Sequence, residues 1–586
     1  MLFRTFCEYL EKLSTTSKRL EITAILADLF NTVSANEIYE TAFLSLGTLE
    51  PPYQSVQFNL AEKMAMRALS FSYNKEKEVV LEKYKELGDL GKVAEFFSQN
   101  KKESTLSISD THKRLKQIAL DEGTGSQERK IKQLSSLIKS MDALSAKYII
   151  KMVLGTMRLG FSEITLIEAL SWMEKEDKSL KKPIEEKYRI YPNIGFIAKR
   201  FKEESLNGIK SITIETGVPI LGARCQRVNT AEDIIERHKI SVIENKYDGT
   251  RVQAHLDRTK NLSSKKDNSL LEDKERTLSV KTFTRNLEET TNMFPDVTAA
   301  VLNNVKAQTA ILDCEAIGVD PKTGEFVSFQ ITIKRKRKYN VKAMAEEIPL
   351  KLIVFDILFY NGIPQIDIPF KDRRKLLEKI INENDKIMLS PLTVVDNANK
   401  LMKVFNLAIK NGLEGIVAKD LNASYSVGSR GYGWIKFKRK ETGGLEDTLE
   451  PVVLGYYKGA GQRAKFGVGA FLVGVLDEKK DVFKTIAKIG TGLTDEQWGE
   501  LKARCDKIKV LEKPKNYIVP KELLCDVWCE PDILTAIRAD EITVSPIHTA
   551  GYALRFPRLI AFRDDISAKD ATTLKEIQKL YKLWKK

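Results

Sequence analysis

Histidine and cysteine are scarce in this chain, with four His and six Cys in 586 residues. The cysteines (7, 225, 314, 505, 525 and 529) are scattered. Only Cys525 and Cys529 lie close, with three residues between them and no second pair to complete a zinc site. In a strand-rich segment that spacing instead places two small buried side chains on one face. No apolar run approaches the roughly 20 residues that cross a bilayer, which excludes a membrane span. The opening MLFRTFCEYLEKL carries charges at helical spacing and has no small-residue cleavage site, so it does not read as a secretory signal. The protein is expected in the cytoplasm, at the nucleoid if its source is prokaryotic. With 42% hydrophobic and 30% charged residues the chain is neither fibrous nor disordered. A single core does not serve this length, so roughly two to four domains are expected.

Lys and Arg total 95 against 80 Asp and Glu, a net charge of +15. A polyanionic partner accounts for the surplus, and so does a solvated lysine-rich surface. The surplus is uneven: residues 1–215 hold 33 basic and 30 acidic side chains, 216–443 hold 38 and 29, and 444–586 hold 24 and 21. These segments also differ in texture. In 1–215, stretches such as KEVVLEKYKELGDLGKVAEFF repeat apolar residues every three or four positions, which predicts an all-α domain. From 216 to 443, short β-rich runs alternate with helical stretches such as FKDRRKLLEKII, predicting an α+β domain with antiparallel sheets. After Gly443-Gly444, a plausible hinge, 444–586 reads as a small β-barrel ending in the basic helix ATTLKEIQKLYKLWKK. Residues 257–277 are polar and read as an exposed loop or hairpin tip.

Within the middle segment, period-two geometry puts Glu244 and Lys246 of ENKYDGTR on one strand face, and a lysine facing inward needs a partner or a task. K-x-D-G alone is a weak signal in a lysine-rich chain. Asp313 and Glu315 of ILDCEAIG share one face of an apolar strand, where they can hold a ribose hydroxyl or a metal. Phe355 of VFDILFYNG is either core or a stacking surface for a base. Glu414 and Lys419 bracket the apolar strand EGIVAK, while Lys436 and Lys438 of WIKFK share a face that is either a solvated edge or a phosphate cradle. The run Lys334 to Lys338 is likewise either a grip on a nucleic-acid backbone or an edge of solvated charge.

In this order the pieces resemble the nucleotidyltransferase superfamily of ATP-dependent DNA ligases, RNA ligases and messenger-RNA capping enzymes. KYDGTR is similar to motif I, TFTRNLEETT (282–291) to motif Ia, and ILDCEAIG, VFDILFYNG, EGIVAK and WIKFK to motifs III, IIIa, IV and V. LRFPRLIAFRDD (554–565) is similar to motif VI, and GDLGKVAEFF and VLGTMRLGFSE resemble the helical DNA-binding domain of archaeal and eukaryotic replicative DNA ligases. The resemblance covers nearly the whole chain. It implies a helical DNA-binding domain, an adenylation domain and a C-terminal OB-fold. It also implies sealing of nicked duplex DNA in replication, repair and recombination through a lysyl-AMP on Lys246.

Ligation requires a neutral amine, so neighbouring cations and desolvation must lower the affinity of Lys246 for its proton. By position Arg251, Lys436 and Lys438 supply positive charge there and on the phosphate. The resemblance implies that Glu244 contacts adenine, that Phe355 stacks on it, that Glu315 holds the ribose, and that Arg285 and Arg430 contact phosphate or ribose. Glu414, with Glu315 or Asp313, is the expected ligand set for Mg²⁺, with Mn²⁺ as a substitute. The chemistry is phosphoryl transfer, in which positioning and charge neutralisation outweigh a general base, and no histidine lies in these motifs. The chain departs from the family in motif VI, where Ile566 follows Arg563-Asp564-Asp565 in place of a lysine. Arg563 is expected to orient the pyrophosphate. NKKESTLSI (100–108) sits where archaeal relatives carry a sliding-clamp peptide, but it lacks the aromatic pair that would anchor one. A monomer is expected. An RNA ligase or capping guanylyltransferase is the alternative enzyme, disfavoured by the long helical extension. A non-enzymatic nick-binding scaffold is disfavoured by the intact lysines, and an NAD-dependent ligase by the lack of a four-cysteine zinc site.

Overall fold

The computed structural model describes all residues except 100–101, 158, 229, 260–278, 328, 338, 412, 439–447, 460–465, 565 and 585–586. For Arg227, Phe329, Gln330, Lys438, Leu583 and Trp584 it describes the backbone only. The Gly443-Gly444 pair, nearly all of the 257–277 loop, Lys338, Asp565 and the Lys438 side chain therefore lie outside the described residues. The chain forms two units, Met1–Lys438 and Arg439–Lys586. No helix among the described residues is long and apolar enough to cross a membrane.

The first two hundred residues are helical because apolar side chains recur at helical spacing, and several of the helices also begin at a capping side chain. Asp142 accepts the Ser145 amide at 3.0 Å to begin the helix Ala143–Val153, and Asp89 accepts that of Lys92 at 3.1 Å to begin Leu90–Phe97. These two helices pack closely at Gly91, where a Cβ would lie 2.9 Å from the Lys147 carbonyl oxygen. A side chain there would push the helices apart, which explains the glycine in GDLGKV. The carboxylate of Glu168, 2% exposed, is bound by Lys178 at 2.8 Å and Lys181 at 2.6 Å. In the stretch weighed as a clamp peptide, the Leu106 carbonyl accepts the Phe3 amide at 2.8 Å and the Ser104 amide binds Asp142 at 3.3 Å. That backbone is thus occupied in holding the first helix.

Residues 224–438 build two sheets from β1 (Arg224–Arg227), β2 (Ser241–Lys246), β3 (Thr250–Asp257), β4 (Val280–Thr284), β5 (Thr309–Gly318), β6 (Leu350–Tyr360), β7 (Ile363–Pro364), β8 (Ile387–Leu389), β9 (Leu392–Val395), β10 (Gly415–Asp420) and β11 (Arg430–Lys438). One sheet has the order β1-β11-β10-β2-β9, and the other runs β4-β3-β5-β6-β7 with β8 beside β6. The pairings are antiparallel, as expected, except for two. β8 returns to β6 through the helix Phe370–Ile380, and a helical crossover delivers a parallel strand. β1 reaches β11 from the helical region rather than through a hairpin and is also parallel.

That crossover helix is locked by Arg373 and Asp356, both 0% exposed. Nε donates to Oδ1 at 2.7 Å and Nη2 to Oδ2 at 2.9 Å. A separate apolar cluster of Ile214, Ile220, Ala223, Leu358, Tyr425 and Trp434 joins the end of the helical region to the sheets. Of the basic run, Arg335 is 1% exposed and bound to both oxygens of Asp296 at 2.8 Å, so it is a core ion pair rather than a grip or a solvated edge. Its neighbours Lys334, Lys336 and Arg337 are exposed.

The unit Arg439–Lys586 is an OB-fold built on a curled sheet in which Val452–Tyr457, Ala470–Asp477 and Val482–Ile489 are central. Cys529 is buried and Cys525 half-buried in it. Arg563 binds Glu450 at 2.9 Å, and Asp564 accepts from Arg504 at 2.9 Å.

Burial alone would raise the Glu168 carboxyl, but the two lysines win and hold it down at about 2. A carboxyl depressed on folding stabilises the fold above its ordinary value of 4.5 and loses that contribution as pH falls toward 2. Glu168→Gln is therefore expected to lower stability at pH 7 by up to about 3 kcal/mol. In urea denaturation followed across pH, the gap between variant and parent should narrow below pH 4.5 and close only as pH reaches about 2.

Candidate functional site

β2 ends at Lys246 and turns through Tyr247–Gly249 into β3, so the lysine stands where the two sheets face each other. The turn presses on β5: a Cβ on Gly249 would lie 2.6 Å from the Ala316 carbonyl oxygen. This contact is the physical demand behind the glycine of K-x-D-G. Between the sheets lies a cavity of about 570 Å³. Of the residues singled out in the sequence, Glu244, Lys246, Arg251, Arg285, Glu315, Phe355, Arg430 and Lys436 line it. Asp313 and Glu414 do not.

The register explains the convergence. β10 pairs Gly415 with Lys246 and Val417 with Glu244, while β11 pairs Lys436 with Val417. Glu244, Val417 and Lys436 therefore form one row across the sheet, and Arg430 enters the wall through its pairing with Arg224 of β1. Glu414, just before β10, is ion-paired with the Lys246 ammonium. Glu244 is 3% exposed. Its Oε2 lies 2.9 Å from Lys419 Nζ, while its Oε1 is buried with no hydrogen-bond partner. Burial pushes this carboxyl upward against the pull of Lys419. Phe355 is half-buried and meets Trp434 edge-on, with centroids 5.8 Å apart.

Two expectations change. Arg251 and Asp313, anticipated as a phosphate-side cation and a metal ligand, are bound to each other. The guanidinium donates to Oδ1 at 2.9 Å and Oδ2 at 2.6 Å, and also to the Ala223 carbonyl at 2.6 Å. The Tyr425 hydroxyl donates to the same Oδ2 at 2.5 Å and accepts the Ala223 amide at 2.9 Å. Asp313 does share a face with Glu315, but it sits one residue pair deeper, opposite Gln253, where Arg251 covers it. Glu315 stays at the cavity. Burial raises its carboxyl to about 7, with Arg251 and Lys246 pulling down and Asp313 pushing up.

A hard divalent cation fits this carboxylate, whose charge is incompletely compensated, together with Glu414. Among the described residues no group of three or more His, Cys, Asp or Glu could hold a metal by itself. Two carboxylates plus substrate phosphates make an ordinary Mg²⁺ environment.

Several residues carried no sequence signal: Arg224 and Cys225 of the four-residue β1 and Ser390 in the wall, and Tyr425 in the network behind Arg251. Lys336, from the basic run, lines the cavity and is ion-paired with Glu288. A short strand and a glycine-rich turn have too few positions to show a period.

Three family models match the chain: "DNA ligase N terminus" over 2–171, "ATP dependent DNA ligase domain" over 219–438, and "ATP dependent DNA ligase C terminal region" over 464–566. The chain is 43% identical over 595 residues to a probable DNA ligase of Dictyoglomus turgidum, covering 100% of this chain and 98% of the relative. It is 35% identical over 594 residues to DNA ligase 1 of Methanosarcina acetivorans, covering 99% of each. Among solved structures, Pmar-Lig_PreS3 shares the fold, with a TM-score of 0.55 and 17% identity over 95% of this chain and 99% of that one.

The two carboxylates of β5 should separate in stability measurements. Asp313→Ala leaves the Arg251 guanidinium buried and unpaired, an expected loss of about 3–5 kcal/mol. A carboxyl raised on folding costs stability once pH passes its ordinary value of 4.5, so Glu315→Gln removes a cost. At pH 8 Glu315→Gln should melt at or above the parent temperature, and at pH 4 the two should coincide. A melting temperature well below the parent at pH 8 would contradict the burial argument.

Proposed function

The chain belongs to the ATP-dependent DNA ligase family, whose members seal nicks in duplex DNA through an adenylate, and we propose that Lys246 is the residue that carries the AMP. The supporting observation is the placement of Lys246 in the wall of a cavity that also presents an unbonded buried acceptor, an aromatic ring and a row of cations. The adenine 6-amino group supplies the donor that Glu244 Oε1 lacks, and Phe355 offers its ring to the base. Arg285, Arg430 and Lys436, with Lys438 by its place on β11, receive ribose and phosphate oxygens.

Lys246 begins as an ammonium held by Glu414. The proton passes by way of Glu414 to solvent, Nζ attacks the α-phosphorus of ATP, and the P–N bond forms as the bond to the α,β-bridging oxygen breaks and pyrophosphate departs. The 5′-phosphate at the nick then displaces Lys246 from AMP, and the 3′-hydroxyl displaces AMP to close the strand. Each step transfers a phosphoryl group, so alignment and neutralisation of charge carry the barrier reduction. No histidine lines the cavity, in keeping with that division of labour. Glu315 and Glu414 are the residues that would hold Mg²⁺, which supplies positive charge at the phosphates when bound. Asp313 acts one step back, by fixing Arg251.

Residues 1–215 are assigned to DNA binding, 216–443 to adenylation and 444–586 to the OB-fold. The helical part is nearly balanced in charge, so it must meet DNA through one basic face, by contacts to phosphates and the minor groove that accept any sequence. The protein acts inside the cell as a monomer on nicked duplex DNA.

Incubation with Mg²⁺ and α-labelled ATP without DNA should place acid-labile label on the protein, and Lys246→Ala should abolish it. Labelling only from GTP would turn the reading to capping, and no labelling would remove the enzyme reading. Phe355→Ala should raise the KM for ATP about tenfold or more while Lys246 labelling persists at saturation.

A further inference from the structure

Lys419 takes no part in the reaction just described, yet it is 1% exposed and an ammonium there is costly without full hydrogen bonding. It donates to the Phe355 carbonyl at 2.8 Å and pairs with Glu244 Oε2 at 2.9 Å. Its remaining surface is enclosed by the rings of Trp434, Phe370 and Phe355, at 4.5, 4.6 and 5.1 Å from their centroids. The placement follows from register, since Lys419 lies opposite Val242 on β2 and opposite Trp434 on β11, diagonal to Glu244. One cation thus ties the backbone behind the stacking ring to the carboxylate at the edge of the same cavity.

We propose that Lys419 is the positioning residue that decides which purine the cavity accepts, because it binds one oxygen of Glu244 and leaves the other facing the base as a fixed acceptor. This rests on the reading that Glu244 and Phe355 receive the base. An ammonium has donors only, so it always takes an oxygen. The group left toward the base is then dictated. With Glu244 it is a second oxygen, which suits a 6-amino purine and opposes a 6-oxo purine. With glutamine in its place, Lys419 takes the amide oxygen and the NH₂ faces the base, which suits a 6-oxo purine. Without Lys419 neither arrangement is imposed.

The test uses the full chain and single-turnover labelling of Lys246 from α-labelled ATP and from inosine triphosphate, which carries a 6-oxo group. The parent should prefer ATP. Glu244→Gln should move the ratio toward the inosine nucleotide by about tenfold or more, the size expected when a buried polar group loses its proper partner. Lys419→Met, close in length and without charge, should lower the ATP preference to a similar extent. Glu244→Gln combined with Lys419→Met should lose the shift toward the inosine nucleotide.

If Glu244→Gln shifts the ratio equally with and without Lys419, or if Lys419→Met keeps the parental ratio, Lys419 is not the selector although Glu244 still reads the base. If Glu244→Gln leaves the ratio unchanged, the base does not meet Glu244 and both readings fall. Should Lys419→Met fail to fold by circular dichroism, Lys419→Leu replaces it alone and combined with Glu244→Gln, and the same outcomes support or overturn the proposal.

Discussion

Arg251 and Asp313 face each other on neighbouring strands of one sheet, and the segments that wall the cavity are tied together where they meet. The pair joins β3 to β5, reaches Tyr425 in the turn before β11, and holds the Ala223 backbone where the chain leaves the helical region. Removing charge from water is affordable only with this many hydrogen bonds, and each one fixes a different part of the chain. The cavity is the space this network leaves open. Another pair, Asp356 with Arg373, is fully buried and secures the crossover helix beside Phe355 in sequence. Together they let a wall composed of half-buried charges keep one shape without nucleotide.

The order and spacing of the short motifs made most of this site legible from sequence. Period-two geometry placed Glu244 beside Lys246, and Lys436 in the same wall, because a strand with one face toward a cavity has only two choices for each side chain. The same rule says nothing of how deep Asp313 lies. It shares a face with Glu315, but depth along the strand is not a periodic property, and only the register with β3 shows that Arg251 lies over it. Arg335 is a similar case, since a run of five basic residues looks like surface until a half-buried carboxylate, Asp296, appears 39 positions away. Cys225 and Ser390 reach the cavity, and Tyr425 reaches the Arg251–Asp313 pair, through long-range packing that no local pattern encodes.

In the fold, the helical, mixed and β-rich textures were visible because each covers many residues with one period. The parallel edges β1 and β8 were not, because strand direction depends on how the chain arrives rather than on which residues it carries. The glycines were informative in the opposite way. Gly91 and Gly249 each mark a place where another segment comes within 2.9 Å and 2.6 Å of the position a Cβ would take. Both lie in segments the sequence had already set apart, although there their role was only a spelling.

The dry, unbonded oxygen of Glu244 has a further consequence. A fold with such an acceptor is less stable empty than it could be, and whatever binds the folded form alone shifts the folding equilibrium toward it. The fraction of time the chain spends open to proteases and aggregation is therefore tied to the nucleotide supply around it. A nucleotide that fills the cavity would then act on how long the chain lasts as well as on what it does.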